Sequence, residues 1–117
     1  AMRHLKKRKF GKGTDHRRKL LRTLASSAIL YERIETTYAN ARAVKPYLEK
    51  LITKAKDTDN ALHSRRQLLS KLTRNAAAKA MEVIGPKYQT RNGGYTRLIK
   101  LTPPGSGNAK AVIELVD

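Results

Sequence analysis

The chain has 117 residues, and its 26 Lys and Arg against 9 Asp and Glu give it a formal net charge of +17. A chain of this length buries one modest core, so a large two-domain enzyme is excluded. With no cysteine and three scattered histidines, it has no disulfide framework, thiolate zinc site or cysteine nucleophile. A chain this basic is typical of proteins that bind a polyanion, and nucleic acid is the first expected partner.

The sequence contains no apolar run of about 18 residues, the length from which a membrane-spanning helix is recognised. Its first 22 residues are rich in charge where a signal peptide would need an apolar stretch. We therefore expect a protein that neither spans a membrane nor is secreted, and that lies in the cytoplasm or an equivalent organelle compartment.

The excess charge lies in two regions. Residues 1–22 hold ten basic side chains and one acid, residues 60–102 hold nine and one, and residues 23–59 are nearly balanced. Residues 1–13 combine dense charge with glycine and almost no apolar side chain, so we expect an arm that is disordered when free. Residues 14–117 are expected to form a single globular domain.

The first half of that domain shows two helical patterns around a short strand. Thr14 and Asp15 are good N-cap residues, and apolar residues at helical spacing predict a helix over about 15–31. A β-favouring stretch at 33–38 follows. A second helix is predicted from residue 39 to about 56, bent or split at Pro46 because proline lacks a backbone donor.

The second half is predicted to contain two short helices and a hairpin. Residues 57–60 are predicted to form a loop, after which Leu62, Leu69 and Leu72 indicate one helix. The alanine-rich stretch 76–84 indicates another, ending at Gly85 and Pro86. Alternating runs at 95–101 and 111–116 predict an antiparallel hairpin. With the first strand beside the hairpin and helices on one face, the fold class is α+β.

The basic arm is the first candidate binding element. A chain that places cations against successive phosphates releases condensed counterions and binds in a salt-sensitive way. A solubilising tail, a membrane-surface tail and a nuclear-import signal are the alternatives. We expect His4 to hydrogen-bond phosphate or sugar, as we do His16, because no third metal ligand lies near either. The candidate nucleic-acid-binding residues of the arm are Arg3, His4, Lys6, Lys7, Arg8, Lys9 and Lys12.

The first helix carries Arg17, Arg18 and Arg22 on its polar side, close to a helix N-terminus that itself favours anions. We predict that this face acts together with the arm, although a solvated polar face is the alternative. Thr36 and Thr37 are candidate phosphate contacts through their hydroxyls. Equally, they are a strand residue and an N-cap.

The loop from Gly85 to Arg97 is the most distinctive stretch. Arg91 and Arg97 offer fork-shaped donors for phosphate, and Tyr95 is suited to bracing the loop or stacking on a base. The loop lacks a Walker lysine and serine, so it is not a nucleotide-binding loop. An ordinary connection into a hairpin is the alternative.

No catalytic arrangement is readable. The nine acids are dispersed, and Ser26 and Ser27 have no base at readable spacing. We therefore expect no enzymatic activity, no cofactor and no metal.

Taken in order, these residues resemble the bacterial-type large-subunit ribosomal protein family numbered seventeen. The resemblance starts with residues 2–6, continues through the first two helices, and ends at residues 114–116. It is most specific at Gly85, Pro86, Tyr88, Arg91, Gly93, Gly94, Tyr95, Thr96 and Arg97.

The resemblance implies an α+β protein without catalytic role that binds large-subunit ribosomal RNA near the nascent-chain exit tunnel, among other ribosomal proteins. It also implies that Arg3, His4, Lys6, His16, Arg17, Arg22, Arg91, Tyr95 and Arg97 are functional residues. The chain departs from the family in an arm shorter by one residue, in Thr23 and in Ala43. A nucleoid-type DNA-binding protein is the alternative function, and a basic scaffold that grips an acidic protein is another.

Overall fold

Four helices pack on one face of a small antiparallel sheet in the computed structural model, which describes residues 14–57, 59–101 and 109–117. The predicted α+β class is therefore confirmed. The arm, residues 1–13, and most of the predicted hairpin turn lie outside the described residues. In chain order the elements are α1 (Thr14–Tyr31), β1 (Arg33–Thr37), α2 (Tyr38–Lys56), α3 (Ala61–Lys71), α4 (described below), β2 (Thr96–Lys100) and β3 (Lys110–Leu115).

Thr37 determines where β1 ends and α2 begins. Its side chain accepts a hydrogen bond from the backbone N–H of Asn40 at 3.2 Å, so Thr37 is the N-cap that the sequence suggested. The strand consequently ends, and α2 begins, one residue earlier than predicted. Helix α2 continues through Pro46 without a split, and Pro46 lies on its exposed side, where water can satisfy the freed carbonyl.

The sheet has the order β1-β3-β2, so the C-terminal strand lies in the centre. Strand β3 pairs antiparallel with both neighbours, and Ile113 lies opposite Ile34 on one side and Leu98 on the other. This row faces the helices, and Ile113 is part of the buried hydrophobic core that it forms with helix residues. The predicted hairpin, with the first strand beside it, is confirmed.

The buried face of helix α3 includes a serine as well as leucine. Ser64, Leu68 and Leu72 are buried, whereas Leu62 is 65% exposed and Leu69 is 41% exposed. The predicted helix is present, but two of the leucines that indicated it, Leu62 and Leu69, lie outside its buried face. Ser64 and Leu68 are four residues apart, and Leu72 follows at the same interval, so the three lie on one face of the helix. Because one of them is a serine, the buried face cannot be recognised from the spacing of apolar residues alone.

The last helix, α4, does not end at Gly85 and Pro86 as predicted. It comprises an α-helical part, Arg74–Lys79, a π-helical turn, Ala80–Ile84, and a final α-helical turn, Gly85–Lys87. In the π turn the N–H of Gly85 donates to the carbonyl of Ala80. A Cβ on Gly85 would lie 2.6 Å from the carbonyl oxygen of Ala55 in α2, so only glycine allows this approach.

Candidate nucleic-acid interface

The first basic surface is formed by α1. His16 and Arg18 are exposed and Arg17 is half-buried. The nearest acid to Arg18 is Asp15, whose Oδ1 is 3.9 Å from the guanidinium, and both side chains are largely exposed. Such a pair is screened by water and holds the arginine only weakly. The positive charge at the start of α1 is thus available to an external anion.

Arg22 connects this surface to the turn between α3 and α4. Its guanidinium donates to the carbonyl oxygen of Leu72 at 3.2 Å, and Tyr47 donates to the carbonyl of Lys71 at 3.0 Å. Burial raises the pKa of Tyr47, and the nearby charge of Arg22 opposes that rise. Arg22 therefore has a structural contact, which satisfies a carbonyl at the end of α3.

The turn that Arg22 holds carries two further cations, Lys71 and Arg74, both exposed. No carboxylate among the described residues forms an ion pair with them or with Arg22. We call Arg18, Arg22, Lys71 and Arg74 the helical basic surface. Sequence reasoning counted Lys71 and Arg74 within the second basic region without assigning them to a site. Only the fold places them beside a helix some fifty residues earlier.

The side chains of Thr36 and Thr37 already accept hydrogen bonds within the protein. The side chain of Thr37 caps α2, and Thr36 accepts a hydrogen bond from the side chain of Asn40 at 3.4 Å. Each hydroxyl retains a proton to donate.

The loop from Gly85 to Arg97 is stabilised by hydrogen bonds between its own backbone groups. Tyr88 N–H donates to the carbonyls of Ile84 and Gly85, and Arg91 N–H donates to that of Tyr88 at 3.0 Å. Gly93 and Gly94 have φ values of 82° and 65°, the left-handed region that favours glycine. A Cβ on either would meet no atom within 4 Å, so backbone conformation alone requires these glycines.

Polar side chains fasten the loop to the rest of the protein, and the exposed Arg91 is one of them. The guanidinium of Arg91 donates to the carbonyls of Gly94 at 3.4 Å and Asp117 at 3.2 Å. The Lys56 ammonium donates to the carbonyl of Arg91, and the Tyr88 hydroxyl donates to that of Val116. These donors fasten the loop to α2 and to the C-terminal residues.

Tyr95 lies in the core. It is 1% exposed, and its ring centroid is 5.2 Å from that of Tyr88. Its hydroxyl receives a hydrogen bond from Lys56 at 2.9 Å and pairs with that of Thr53 at 3.3 Å. Burial acts to raise the pKa of Tyr95, but these hydrogen bonds outweigh it and lower the pKa. Of the two roles that the sequence left open, bracing the loop fits this position and stacking on a base does not.

Arg97 lies on the sheet face away from the helices. It shares Glu114 with Arg33, at 3.9 Å and 2.6 Å respectively. Two arginines flank one carboxylate there, so a net positive charge remains and the side chain of Arg97 is 55% exposed.

The described residues contain no group of three or more acidic or histidine side chains that could hold a metal ion. None of the described helices is long and apolar enough to cross a membrane. The arm residues Arg3, His4, Lys6, Lys7, Arg8, Lys9 and Lys12 lie outside the described residues.

Arg22, Lys71 and Arg74 are exposed and form no ion pair with an acid of the described residues. A small α+β domain with such a surface has the features of the class of basic, polyanion-binding proteins. The profile of the family described as Ribosomal protein L17 matches residues 20–116. The chain belongs to the ribosomal protein L17 family. It is therefore a structural, non-enzymatic ribosomal component, as the sequence analysis expected.

Three proteins with similar sequences support the same family over most of the chain. A protein named large ribosomal subunit protein bL17 from Wolbachia pipientis wMel is 47% identical, with 99% of this chain and 84% of the relative covered. The protein of the same name from Caldanaerobacter subterraneus is 48% identical, with 93% and 97% covered. That from Acidobacterium capsulatum is 46% identical, with 92% and 68% covered. The resemblance stated from the sequence is confirmed.

Proposed function

We propose that this protein is a structural constituent of the large ribosomal subunit that binds and stabilises folded ribosomal RNA. The observation that carries the proposal is the helical basic surface. Its cations Arg22, Lys71 and Arg74 have no acidic partner among the described residues, and α1 follows directly on the arm, which holds six basic residues and no acid. The names of the relatives support the large subunit as the site of assembly.

The binding is dominated by phosphate. Arginine and lysine in fixed positions recognise the path of an RNA backbone, and the exposed surface of the described residues offers no aromatic pair for reading unstacked bases. We assign direct contacts to the arm residues, His16, Arg17 and the helical basic surface, with Arg97 as a further contact on the sheet. Arg91 and Tyr95 support the loop, and Thr36 and Thr37 contribute hydroxyls at the start of α2. A place near the nascent-chain exit tunnel, among neighbouring ribosomal proteins, follows from the family resemblance alone.

The test is a sedimentation profile of the tagged protein in lysate of a bacterium, at low salt and after a wash at about 1 M salt, where screening lengths fall to a few ångströms. We expect co-sedimentation with the large subunit at both salts, because an arm inserted among RNA segments is retained after individual phosphate contacts weaken. Absence from ribosomal fractions at low salt, with preference for duplex DNA, would support the nucleoid alternative instead.

A variant lacking residues 1–13 separates assembly from folding. We expect it to unfold cooperatively at close to the full-length midpoint, since the core formed by the described residues lies between 21 and 116. We expect its large-subunit association to be lost in the high-salt wash. A truncated chain that is unfolded would contradict the assignment of the arm to RNA alone.

A further inference from the structure

Two cations from distant parts of the chain converge on one aromatic ring. The guanidinium carbon of Arg42 in α2 lies 5.6 Å from the ring centroid of Tyr38, and the ammonium nitrogen of Lys100 in β2 lies 4.6 Å from it. The two charges are therefore at most about 10 Å apart. The backbone of Tyr38 is fixed between α2 and the start of β3, because its N–H donates to the carbonyl of Ala109 at 2.9 Å.

No acidic side chain of the described residues forms an ion pair with either cation. At two other places the fold supplies an acid to a pair of cations, since Glu32 lies between Lys79 and Lys87, and Glu114 lies between Arg33 and Arg97. Glu35 is near in sequence, but the strand alternation places it on the opposite sheet face from Lys100. Two like charges held together without an acid leave a strong local preference for an external anion.

The surroundings of the pair suit a phosphate. Thr36 and Lys100 lie in one cross-strand row, separated by the small residue Ala111. The Thr36 hydroxyl accepts from the side chain of Asn40 and so keeps its own proton for an acceptor oxygen. A guanidinium provides paired donors, an ammonium provides a compact charge, and a hydroxyl adds a neutral donor.

We propose that Arg42 and Lys100 bind a phosphate of the RNA backbone, and that the Tyr38 ring positions them. Attraction to the electron-rich ring face holds both flexible side chains in place before RNA arrives, so less conformational entropy is lost on binding. Tyr38 is a positioning residue here. The site rests on the proposed function, and it is separate from the helical basic surface.

The main test compares salt dependence in full-length proteins. The double variant Arg42→Gln and Lys100→Gln is titrated with protein-free bacterial large-subunit ribosomal RNA at several salt concentrations. The control, Lys50→Gln and Arg65→Gln, removes the same residue types from exposed positions on α2 and α3. Each lost phosphate contact should reduce the slope of log affinity against log salt by about 0.7–0.9. We expect a reduction of that size in the site variant and a smaller one in the control.

Equal slopes in the two double variants would overturn the proposed site. A wild-type chain with no preference for this RNA over duplex DNA would instead overturn the proposed function. The two failures are therefore distinguishable. Circular dichroism of each variant checks that the fold is retained.

The role of Tyr38 is tested by two substitutions. Tyr38→Leu removes the ring and keeps both cations, so affinity should fall about as far as in a variant lacking one cation. Tyr38→Phe keeps the ring and should restore wild-type affinity. A phenylalanine variant as weak as the leucine variant would overturn the positioning role.

Inorganic phosphate provides an independent probe. Its titration into the full-length protein, followed by NMR signals of the Arg42 side chain and the Tyr38 ring, should shift both sets of signals. If phosphate shifts these signals while the salt slope for RNA is unchanged in the site variant, the site binds free phosphate and the RNA proposal is wrong. No shift at all would also overturn the site.

Discussion

The loop between α4 and β2 and the first turns of α1 each present an exposed arginine, but the two arginines have different partners. In the loop, Arg91 donates to backbone carbonyls and Tyr95 is buried. In α1, Arg18 is exposed and only weakly paired. The physical difference is the state of the backbone. An irregular loop leaves carbonyls that need donors, whereas a helix satisfies most of its own and leaves its arginines to external partners.

The largest expected effect that sharpens this contrast is the loss of the Tyr95 ring. Tyr95→Ala should reduce the free energy of unfolding by about 3–5 kcal/mol, because it leaves a cavity beside Tyr88 and removes two hydroxyl contacts. Urea unfolding measures this change. Tyr31→Ala is the matched control, since Tyr31 is 73% exposed and its removal should cost no more than about 0.5 kcal/mol.

The substitution Tyr95→Phe distinguishes a role of Tyr95 in supporting the loop from a direct contact with RNA. It keeps the ring and loses only the hydroxyl bonds to Lys56 and Thr53, so stability should fall by about 1 kcal/mol while RNA affinity stays at the wild-type value. A clear loss of affinity in this folded variant would assign Tyr95 to the RNA contact that the sequence suggested.

The end of the loop is also anchored by a carboxylate, and this anchor should respond to pH. Glu49 accepts from the N–H of Thr96 at 3.2 Å and from its hydroxyl at 2.8 Å, and pairs with Lys45 at 3.3 Å. Burial acts to raise the pKa of Glu49, but these contacts outweigh it and lower the pKa. A carboxyl whose pKa is lowered by folding stabilises the fold above its unfolded-state pKa.

That contribution should disappear as the pH falls through the folded-state pKa, below the ordinary glutamate value of about 4.3. Glu49→Gln should cost on the order of 1 kcal/mol at neutral pH. The difference between wild type and variant should be smaller in a urea titration at a pH well below the ordinary glutamate value than at neutral pH, because the wild-type carboxyl becomes neutral as the pH falls through its lowered pKa. A difference that is constant between the two pH values would contradict this role for Glu49.

The sequence predicted the elements well because their signals are local. Helical spacing located α1 and α2, and the hydroxyl of Thr37 marked the helix start that the structure has. Contacts between distant residues had no such signal. The Ser64 position in the buried stripe of α3, the approach of Gly85 to Ala55, and the inward turn of Tyr95 each depend on a neighbour that periodicity cannot specify.

The smallest expected change in stability gives the sharpest test of the contrast. Arg18→Gln should alter the free energy of unfolding by no more than about 0.5 kcal/mol, since its pair with Asp15 is long and exposed. It should nevertheless weaken binding to large-subunit ribosomal RNA and reduce the salt slope by about 0.7–0.9. Arg91→Gln should behave in the opposite way. It loses hydrogen bonds to the carbonyls of Gly94 and Asp117, so stability falls by about 1 kcal/mol with the salt slope unchanged.

The two arginine variants remove the same charge, so any difference between them comes from the surroundings of each side chain. Urea unfolding and the RNA salt titration are run on both proteins. If Arg91→Gln reduces the salt slope as much as Arg18→Gln does, Arg91 must leave its carbonyl partners to contact RNA. Inward hydrogen bonds in the folded loop would then not exclude an external role, and the distinction between the two regions would no longer hold.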